Sequence, residues 1–258
     1  MKNQIFLDVD GCLIKTDPGD PGNEYYLGLS EVASQVADSK TGILLPIGFC
    51  TGRDRNYVEA VAYVLGLPDG WSVIESGVAI FNSETKELKT NPAITDQAKE
   101  AFREISDTVI PSVLKAYPYL FLYPGNMLNI ALERYSGAPS IKECFRTIEQ
   151  ELKVYKEIVY ITHSDIAIDI SPAGINKGTG LEFLADCAGI DLTRSLGIED
   201  SKGGIPMLER VGYVGCPANA SPECQEFVEK AGGCVARRQY ARGVAEIVRR
   251  FRKDLRGG

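Results

Sequence analysis

Apolar and polar residues follow one another along the first third of the chain in a pattern that predicts strands and helices in turn. Residues 3–10 predict a strand, residues 27–40 carry apolar side chains at helical spacing, and residues 42–50 form a second apolar run. Residues 56–67 predict another amphipathic helix, and residues 71–76 predict a third strand. Strands that alternate with helices in this way predict a parallel sheet with helices on both faces.

Residues 75–88 predict a hairpin with a polar turn, and the pattern changes from about residue 91. A long helix is expected over residues 95–117, two strands follow it, and a second helix with a second strand pair completes a small α+β unit. From residue 174 the alternation of helices and strands resumes. We therefore predict an α/β protein: a Rossmann-like, doubly wound parallel-sheet core of residues 1–82 and 174–258, with an inserted α+β cap of residues 83–173.

Composition excludes several classes of protein. The chain has 258 residues, enough to bury a large core, and its formal net charge of −7 argues against a nucleic-acid-binding protein. The sequence contains no apolar run long enough to cross a membrane and no charged-then-apolar leader, so no membrane partner is expected. Its seven cysteines include no C-x-x-C pair, which predicts reduced thiols in the cytoplasm rather than disulfides or a zinc site.

Polar residues fall at the ends of predicted core strands or at the starts of helices. They form four groups: Asp8 with Asp10, Thr51 with Gly52 and Arg53, Lys177, and Glu199 with Asp200. Each group alone is ordinary, because an acid or a threonine after a strand is most often a cap and a lysine at a helix start is usually solvated. Since the carboxyl ends of parallel strands meet at one edge of a sheet, we expect the four groups to share a site.

Together these groups have the chemistry of a phosphoryl-transfer site. Clustered carboxylates and a backbone carbonyl are ligands that Mg²⁺ prefers. A hydroxyl, free backbone N–H groups and an ammonium group can hold a phosphoryl group, and an aspartate can be the nucleophile that accepts it. His163 is the single histidine, so acid–base chemistry falls to carboxylates.

The order and spacing of the four groups resemble the haloacid dehalogenase superfamily of phosphotransferases. The stretch "DVDGCLI" matches the family's D-x-D-G motif, "GFCTGR" its second motif, "INKGTGLEFL" its third and "IEDSKGG" its acidic fourth motif. The inserted unit has the size and element order of the family's antiparallel-sheet (C2-type) cap. The segment "GIPMLERVGYVGCPANA" is most similar to the sucrose-phosphatase and archaeal phosphoglycolate-phosphatase branch.

The resemblance implies a role for each group. Asp8 would be the nucleophile and a Mg²⁺ ligand, and the backbone carbonyl of Asp10 would be another ligand. The side chain of Asp10 would protonate the leaving oxygen and then deprotonate the attacking water. Asp200 would be the third protein ligand of the metal. The phosphoryl oxygens would be bound by Thr51, Gly52, Arg53 and Lys177.

The chain departs from the branch at two places. The fourth motif usually reads G-D-S-x-N-D, but Gly203 and Gly204 replace the Asn and the second Asp, which would weaken the metal site. Glu199 precedes Asp200, as in the β-phosphoglucomutase-like branch, and we expect it to supply the missing acid to the metal shell. The second departure is Ser76, which replaces the Asn of the family's E-N-G-A sequence.

Other residues have weaker signals. Asn219 falls where relatives place an Asn near the phosphate, so substrate binding or support of the site is expected there. Arg53 is equally consistent with binding a substrate anion and with bracing a nearby acid. Asn129 and Arg134 in the cap are expected to face solvent, with Glu133 on the same strand face as Asn129.

The sequence thus predicts a phosphoric monoester hydrolase. We expect a Mg²⁺-dependent phosphatase that hydrolyses a small phosphorylated metabolite, of the sugar phosphate or phosphoglycolate type, through an aspartyl-phosphate. A lid the size of the inserted unit would admit small molecules and exclude phosphoproteins. A phosphomutase of the same superfamily and a non-catalytic phosphate-binding module are the alternatives.

Overall fold

The computed structural model describes residues 2–15, 22–67, 70–135, 137–163 and 167–257. In chain order its strands are β1 (Ile5–Leu7), β2 (Ile47–Phe49), β3 (Trp71–Ile74), β4 (Ala79–Asn82), β5 (Leu88–Thr90), β6 (Leu120–Leu122), β7 (Ile130–Arg134), β8 (Val159–His163), β9 (Ala167–Pro172), β10 (Leu196–Ile198), β11 (Tyr213–Cys216) and β12 (Cys234–Val235). The helices are α1 (Gly22–Lys40), α2 (Arg55–Leu65), α3 (Asp96–Glu104), α4 (Ile110–Ala116), α5 (Lys142–Glu151), α6 (Lys177–Ala188), α7 (Ile205–Leu208), α8 (Pro222–Lys230) and α9 (Tyr240–Gly257).

A five-stranded sheet in the order β12-β11-β10-β1-β2 forms the core, and all of its strand pairs are parallel. Strand β1 lies inside the sheet, between β10 and β2, and its side chains alternate between two buried faces. Ile5 and Leu7 pack in a cluster with apolar residues of α1, α2 and α9, whereas Phe6 packs in a second cluster with residues of α6, α7 and α8. Helices therefore cover both faces, and the predicted α/β, doubly wound class is confirmed.

The third predicted strand is paired differently from expectation. Strand β3 joins β4 and β5 in an antiparallel sheet, and it contacts β2 through one isolated bridge between Cys50 and Val73. Side chains also link β3 to the core sheet: the N–H of Phe49 in β2 donates to Ser72 Oγ at 3.0 Å, and Nε2 of Gln4, the residue before β1, donates to the Trp71 carbonyl at 2.9 Å. These side-chain bonds hold β3 beside the core sheet.

A second antiparallel sheet of four strands has the order β6-β7-β9-β8, and we call it the cap sheet. Apolar residues of α3, α4 and α5 pack on it in a third cluster. The long helix expected before it is interrupted, because a π-helical turn at Ile105–Val109 separates α3 from α4. Pro111 lies at the start of α4, and it has no N–H to donate to the preceding turn. Thr95 caps the start of α3, where its hydroxyl accepts the N–H of Ala98.

The boundary between core and cap remains a prediction. Residue 83 falls in the turn between β4 and β5, and β5 pairs with β4. Ile94 and Ala98 pack in the same apolar cluster as Ile5 and Leu7. The residues that follow position 83 therefore contact the core before the chain enters the cap sheet. None of the described helices combines the length and the apolar composition that a membrane span needs.

Candidate active site

The parallel register brings the sequence motifs to one edge of the core sheet. The N–H of Asp8, directly after β1, donates to the Ile198 carbonyl at 2.9 Å, and the N–H of Cys50, directly after β2, donates to the Leu7 carbonyl at 2.9 Å. The loops that follow β1, β2 and β10 therefore leave the sheet side by side. They open into a cavity of about 1140 Å³ between this edge and the cap sheet.

A buried cation lies between two carboxylates at the bottom of this cavity. Lys177 Nζ is 2.9 Å from Asp8 Oδ1 and 2.7 Å from Glu199 Oε2. Burial, followed by the charge of Glu199, raises the pKa of Asp8 to about 8, and Lys177 opposes that rise. Burial alone would lower the pKa of Lys177, but the charges of Asp8 and Glu199 raise it well above its ordinary value. The ammonium group is therefore kept charged next to the Asp8 carboxylate.

The start of α6 fixes the position of Lys177. Asn176 precedes it in an extended conformation, and its side chain accepts the N–H groups of Gly178 and Thr179. The Thr179 hydroxyl accepts the N–H of Asn176, which completes a capping box. Lys177 is therefore the first residue of a well-capped helix.

The carboxylates of Asp8 and Asp200 form a cluster whose donor set fits a divalent cation. Ligand atoms of Asp8, Cys12 and Asp200 all lie within 4.8 Å of one another. The pKa of Asp200 is raised to about 7, first by burial and then by repulsion from the charge of Asp8. The two acids therefore destabilise each other's charged forms in this arrangement. Burial raises the pKa of the Cys12 thiol well above its ordinary value, which makes the thiol a poor metal ligand. Clustered carboxylate oxygens of this kind are what Mg²⁺ prefers.

Gly11 lets this cluster form. Its φ is +79°, which an L side chain rarely adopts, and a Cβ there would overlap the carboxyl group of Asp200. Asn219 supports the same loop, since its Nδ2 donates to the Gly11 carbonyl at 2.8 Å and its Oδ1 accepts the N–H of Tyr240 at 2.7 Å. Both ends of the Asn219 amide are thus bonded to backbone, which favours support of the loop over substrate binding.

Asp10 is held by a group of residues from both sides of the cavity. Arg53 donates from Nε to Asp10 Oδ2 at 2.7 Å and from NH2 to Oδ1 at 3.2 Å, and Tyr57 donates its hydroxyl to Oδ1 at 3.3 Å. The third guanidinium nitrogen, NH1, donates to Glu133 of β7 at 3.1 Å. The guanidinium carbon also lies 4.7 Å from the ring centre of Tyr123 and 5.2 Å from that of Tyr57.

Of the two roles left open for Arg53, the structure shows the bracing of an acid. Burial alone would lower the pKa of Arg53, but the hydrogen bonds and charge of Asp10 raise it above its ordinary value. Sequence reasoning did not identify Tyr57 and Tyr123 as site residues. Glu133 could have been identified from the sequence, because strand alternation places it on the same face of its strand as Asn129.

Thr51, Gly52 and Ser76 line the cavity beside Asp8. Thr51 is buried and its Oγ1 accepts the N–H of Arg53 at 3.2 Å, which shapes the turn after β2. Ser76 has a φ of +54°, a left-handed conformation that Asn adopts more readily than Ser. This conformation would suit the Asn that the family resemblance implies at this position.

Other contacts join the cap sheet region to the core. Tyr123 donates its hydroxyl to Asp54 Oδ2 at 3.2 Å. Glu75 is buried, and its carboxylate accepts the N–H of Met127 at 2.8 Å and the N–H of Leu128 at 3.1 Å. These contacts fix the loop before β7 over the cavity.

Two expectations about side-chain contacts are altered by the structure. Glu199 was expected near the metal, but its carboxylate is buried against Lys177 and also accepts the hydroxyl of Ser201 at 3.0 Å. Asn129 was expected to face solvent, and this is wrong, because it is buried and accepts the hydroxyl of Ser171 at 3.0 Å. Arg134 is partly exposed and donates to the Ala138 carbonyl.

Comparison with known proteins identifies relatives of this chain. The model of the haloacid dehalogenase-like hydrolases matches residues 122–248. A phosphoglycolate phosphatase of Methanothrix thermoacetophila is 37% identical over 98% of this chain and 98% of its own length. A phosphoglycolate phosphatase of Aeropyrum pernix is 33% identical over 95% of this chain and 91% of its own. The solved sucrose-phosphatase of Synechocystis sp. PCC6803 has a TM-score of 0.68 at 18% identity and covers 97% of this chain and 98% of its own.

The fold and these relatives define a phosphatase, so the non-catalytic alternative is set aside. The chain belongs to the haloacid dehalogenase-like hydrolase family, which confirms the resemblance seen in its motifs.

Proposed function

We propose that this phosphatase hydrolyses a small phosphorylated metabolite, of the sugar phosphate or phosphoglycolate type, through an aspartyl-phosphate on Asp8. The observation that carries the proposal is the position of the Asp8 carboxylate, which faces the cavity 2.9 Å from Lys177 Nζ and beside Asp200. The names of the relatives, phosphoglycolate phosphatase and sucrose-phosphatase, support a small substrate.

In the first step, a carboxylate oxygen of Asp8 forms a bond to phosphorus and the bond to the ester oxygen breaks. The carboxyl group of Asp10 gives its proton to that leaving oxygen. In the second step, the Asp10 carboxylate takes a proton from water as the water oxygen bonds to phosphorus. The bond between Asp8 and phosphorus then breaks, and inorganic phosphate leaves.

The other residues hold the phosphoryl group during both steps. Lys177 would pair with a phosphoryl oxygen, and Thr51 with the N–H groups of Gly52 and Arg53 would bind the others. Bound Mg²⁺ would neutralise charge on the phosphoryl oxygens. Its protein ligands would be the Asp8 and Asp200 carboxylates and the Asp10 carbonyl, a set of hard oxygen donors that suits this ion.

Two further parts of the proposal concern the lid over the cavity and the cellular compartment of the protein. The cap sheet, with the helices that pack on it, forms a lid that keeps water and large substrates out of the cavity. The protein works in the cytoplasm, in keeping with its seven cysteines, which are not joined in disulfides.

The test is phosphate release by the purified protein with Mg²⁺ or with EDTA. Sugar phosphates, phosphoglycolate and a chromogenic phosphate ester serve as substrates. We expect release that needs Mg²⁺ and that disappears in Asp8→Asn but persists in Asp186→Asn, which removes an exposed acid of α6. Release that survives in Asp8→Asn would contradict the mechanism. Isomerisation of a sugar phosphate without release of phosphate would instead identify a phosphomutase.

A further inference from the structure

One face of the cap sheet presents polar side chains to the cavity. Strand register places Thr162, Asp169 and Ala131 in one row, and Tyr160 and Ser171 in the next. Glu133 lies two residues beyond Ala131 on the same face of β7. All six residues line the cavity opposite Asp8. We call the carboxylates of Glu133 and Asp169, with the hydroxyls of Tyr160, Thr162 and Ser171, the acidic wall.

Arg53 is the cation nearest to the acidic wall, and its positive charge is already paired with carboxylates. Each nitrogen of the Arg53 guanidinium donates to a carboxylate, two of them to Asp10 and the third to Glu133. Lys177, at the bottom of the cavity, is bound to Asp8 and Glu199. The further basic residues that line the described cavity are Lys202, which is exposed, and His163, whose ring centre lies 4.4 Å from that of Phe145.

The environment of Asp169 already disfavours negative charge. The side chain is partly buried, and burial followed by the charge of Glu133 raises its pKa to about 6, although Arg53 opposes that rise. A substrate carboxylate placed against this wall would add a third negative charge. Substrate hydroxyl groups would instead donate hydrogen bonds to Asp169 and Glu133 and accept them from the hydroxyls of Tyr160 and Thr162.

We propose that the leaving group of the substrate is an uncharged polyol or sugar, whose hydroxyls bind the acidic wall through Asp169 and Glu133. The inference rests on the proposed function, because it assumes that the phosphoryl group lies at Asp8 with the leaving group directed toward the cap sheet. The cavity of about 1140 Å³ has room for a hexose and exceeds what a two-carbon acid fills. Phe145 and Tyr160 add aromatic surface for the C–H faces of a sugar.

The first test compares phosphate esters that differ in the charge of the leaving group. Glycerol 3-phosphate and a hexose 6-phosphate carry hydroxyls, phosphoglycolate carries a carboxylate and phosphoethanolamine carries an ammonium group. We expect kcat/KM for the better hydroxyl-bearing ester to exceed that for phosphoglycolate and for phosphoethanolamine by at least about tenfold. A preference for phosphoglycolate or for phosphoethanolamine would overturn the inference.

The second test removes one charge from the wall. Asp169→Asn is expected to raise the ratio of kcat/KM for phosphoglycolate to that for the hydroxyl-bearing ester by about tenfold. Asp107→Asn removes an exposed acid that does not line the cavity, and we expect it to leave the ratio unchanged. An unchanged ratio in Asp169→Asn would overturn the role of the acidic wall.

A chromogenic phosphate ester separates failure of this inference from failure of the proposed function. Hydrolysis of that ester that depends on Asp8, together with a preference for phosphoglycolate, would overturn the inference alone. No Asp8-dependent hydrolysis of any ester would overturn the proposed function and the inference with it.

Discussion

The carboxyl group of Glu199 occupies the space that a side chain at position 204 would need. A Cβ built on Gly204 would overlap Cδ and Oε2 of Glu199. In the family's G-D-S-x-N-D motif the first position is glycine and the last is an acid. In this chain the first position is Glu199 and the last is Gly204. The acid at position 199 and the glycine at position 204 are therefore one exchange, because Glu199 leaves no space for a side chain at position 204. In this chain the carboxylate at position 199 lies next to Lys177.

This relationship predicts a compensating pair of substitutions. Gly204→Asp is expected to push Glu199 away from Lys177 and to lower the free energy of unfolding by about 3 kcal/mol, since breaking one side of a buried ion pair is costly. Phosphate release should fall with it. The double variant Glu199→Gly/Gly204→Asp restores the usual order of the motif, and we expect it to recover most of both losses. Urea denaturation and a phosphate-release assay measure the two effects.

Gly203→Asp is the matched control for that experiment. The nearest atom to a Cβ at Gly203 is Ser201 Oγ at 3.7 Å, which is an ordinary contact. We expect the free energy of unfolding of Gly203→Asp to stay within about 0.5 kcal/mol of the parent protein. Equal stabilities of Gly203→Asp and Gly204→Asp would contradict the steric exchange.

Mg²⁺ is expected to raise the melting temperature of the protein. A ligand that binds only the folded state stabilises it by about 2.7 kcal/mol at a concentration of 100 times its Kd. Asp200→Asn removes one of the clustered carboxylates, so the shift caused by Mg²⁺ should largely disappear. Thermal denaturation with Mg²⁺ and with EDTA measures it, and Asp186→Asn should keep the full shift. A full shift in Asp200→Asn would show that Mg²⁺ binds elsewhere.

Asp169 should make the stability depend on pH. Its pKa rises from 3.8 to about 6 on folding, so between these values the folded state binds more protons than the unfolded state. The free energy of unfolding therefore falls as the pH rises from about 4 to about 6, by at most about 3 kcal/mol. Solvent screening of this partly exposed side chain reduces that figure.

Asp169→Asn removes this dependence. We expect the variant to melt at the same temperature as the parent protein near pH 4 and at a higher temperature above pH 6. Thermal denaturation at the two pH values measures the difference. If the gap in melting temperature does not grow between pH 4 and pH 7, the raised pKa of Asp169 is contradicted.

Arg53 should position Asp10 through its planar, forked guanidinium. Arg53→Lys keeps the charge but loses the two-point hydrogen bond to Asp10, because an ammonium group is a point donor. We expect kcat to fall by about 10- to 100-fold, the range that a displaced acid–base group costs, with a smaller change in KM. Steady-state kinetics measures both, and Arg103→Lys, at an exposed position of α3, should change neither. A larger effect on KM than on kcat would indicate substrate binding instead.

The sequence by itself determined the class of the fold and the positions of Asp8, Thr51, Lys177 and Asp200. A local pattern places each of these residues: the residue either follows the end of a buried apolar strand or lies at the start of a helix. The geometry of a parallel sheet then brings such positions to one edge, whatever the details of packing. The motifs were therefore sufficient to predict the family.

Only the tertiary structure decided which residues are partners in the site. Arg53 bonds to Glu133 across the cavity, Glu199 bonds to Lys177, and Asn129 is buried against Ser171. Strand β3 likewise pairs with β4 rather than extending the parallel sheet. In each case the choice depends on which distant groups share a buried space, because burial makes an unpaired charge or polar group costly. A local pattern specifies a residue's element and face, but the fold supplies the partner.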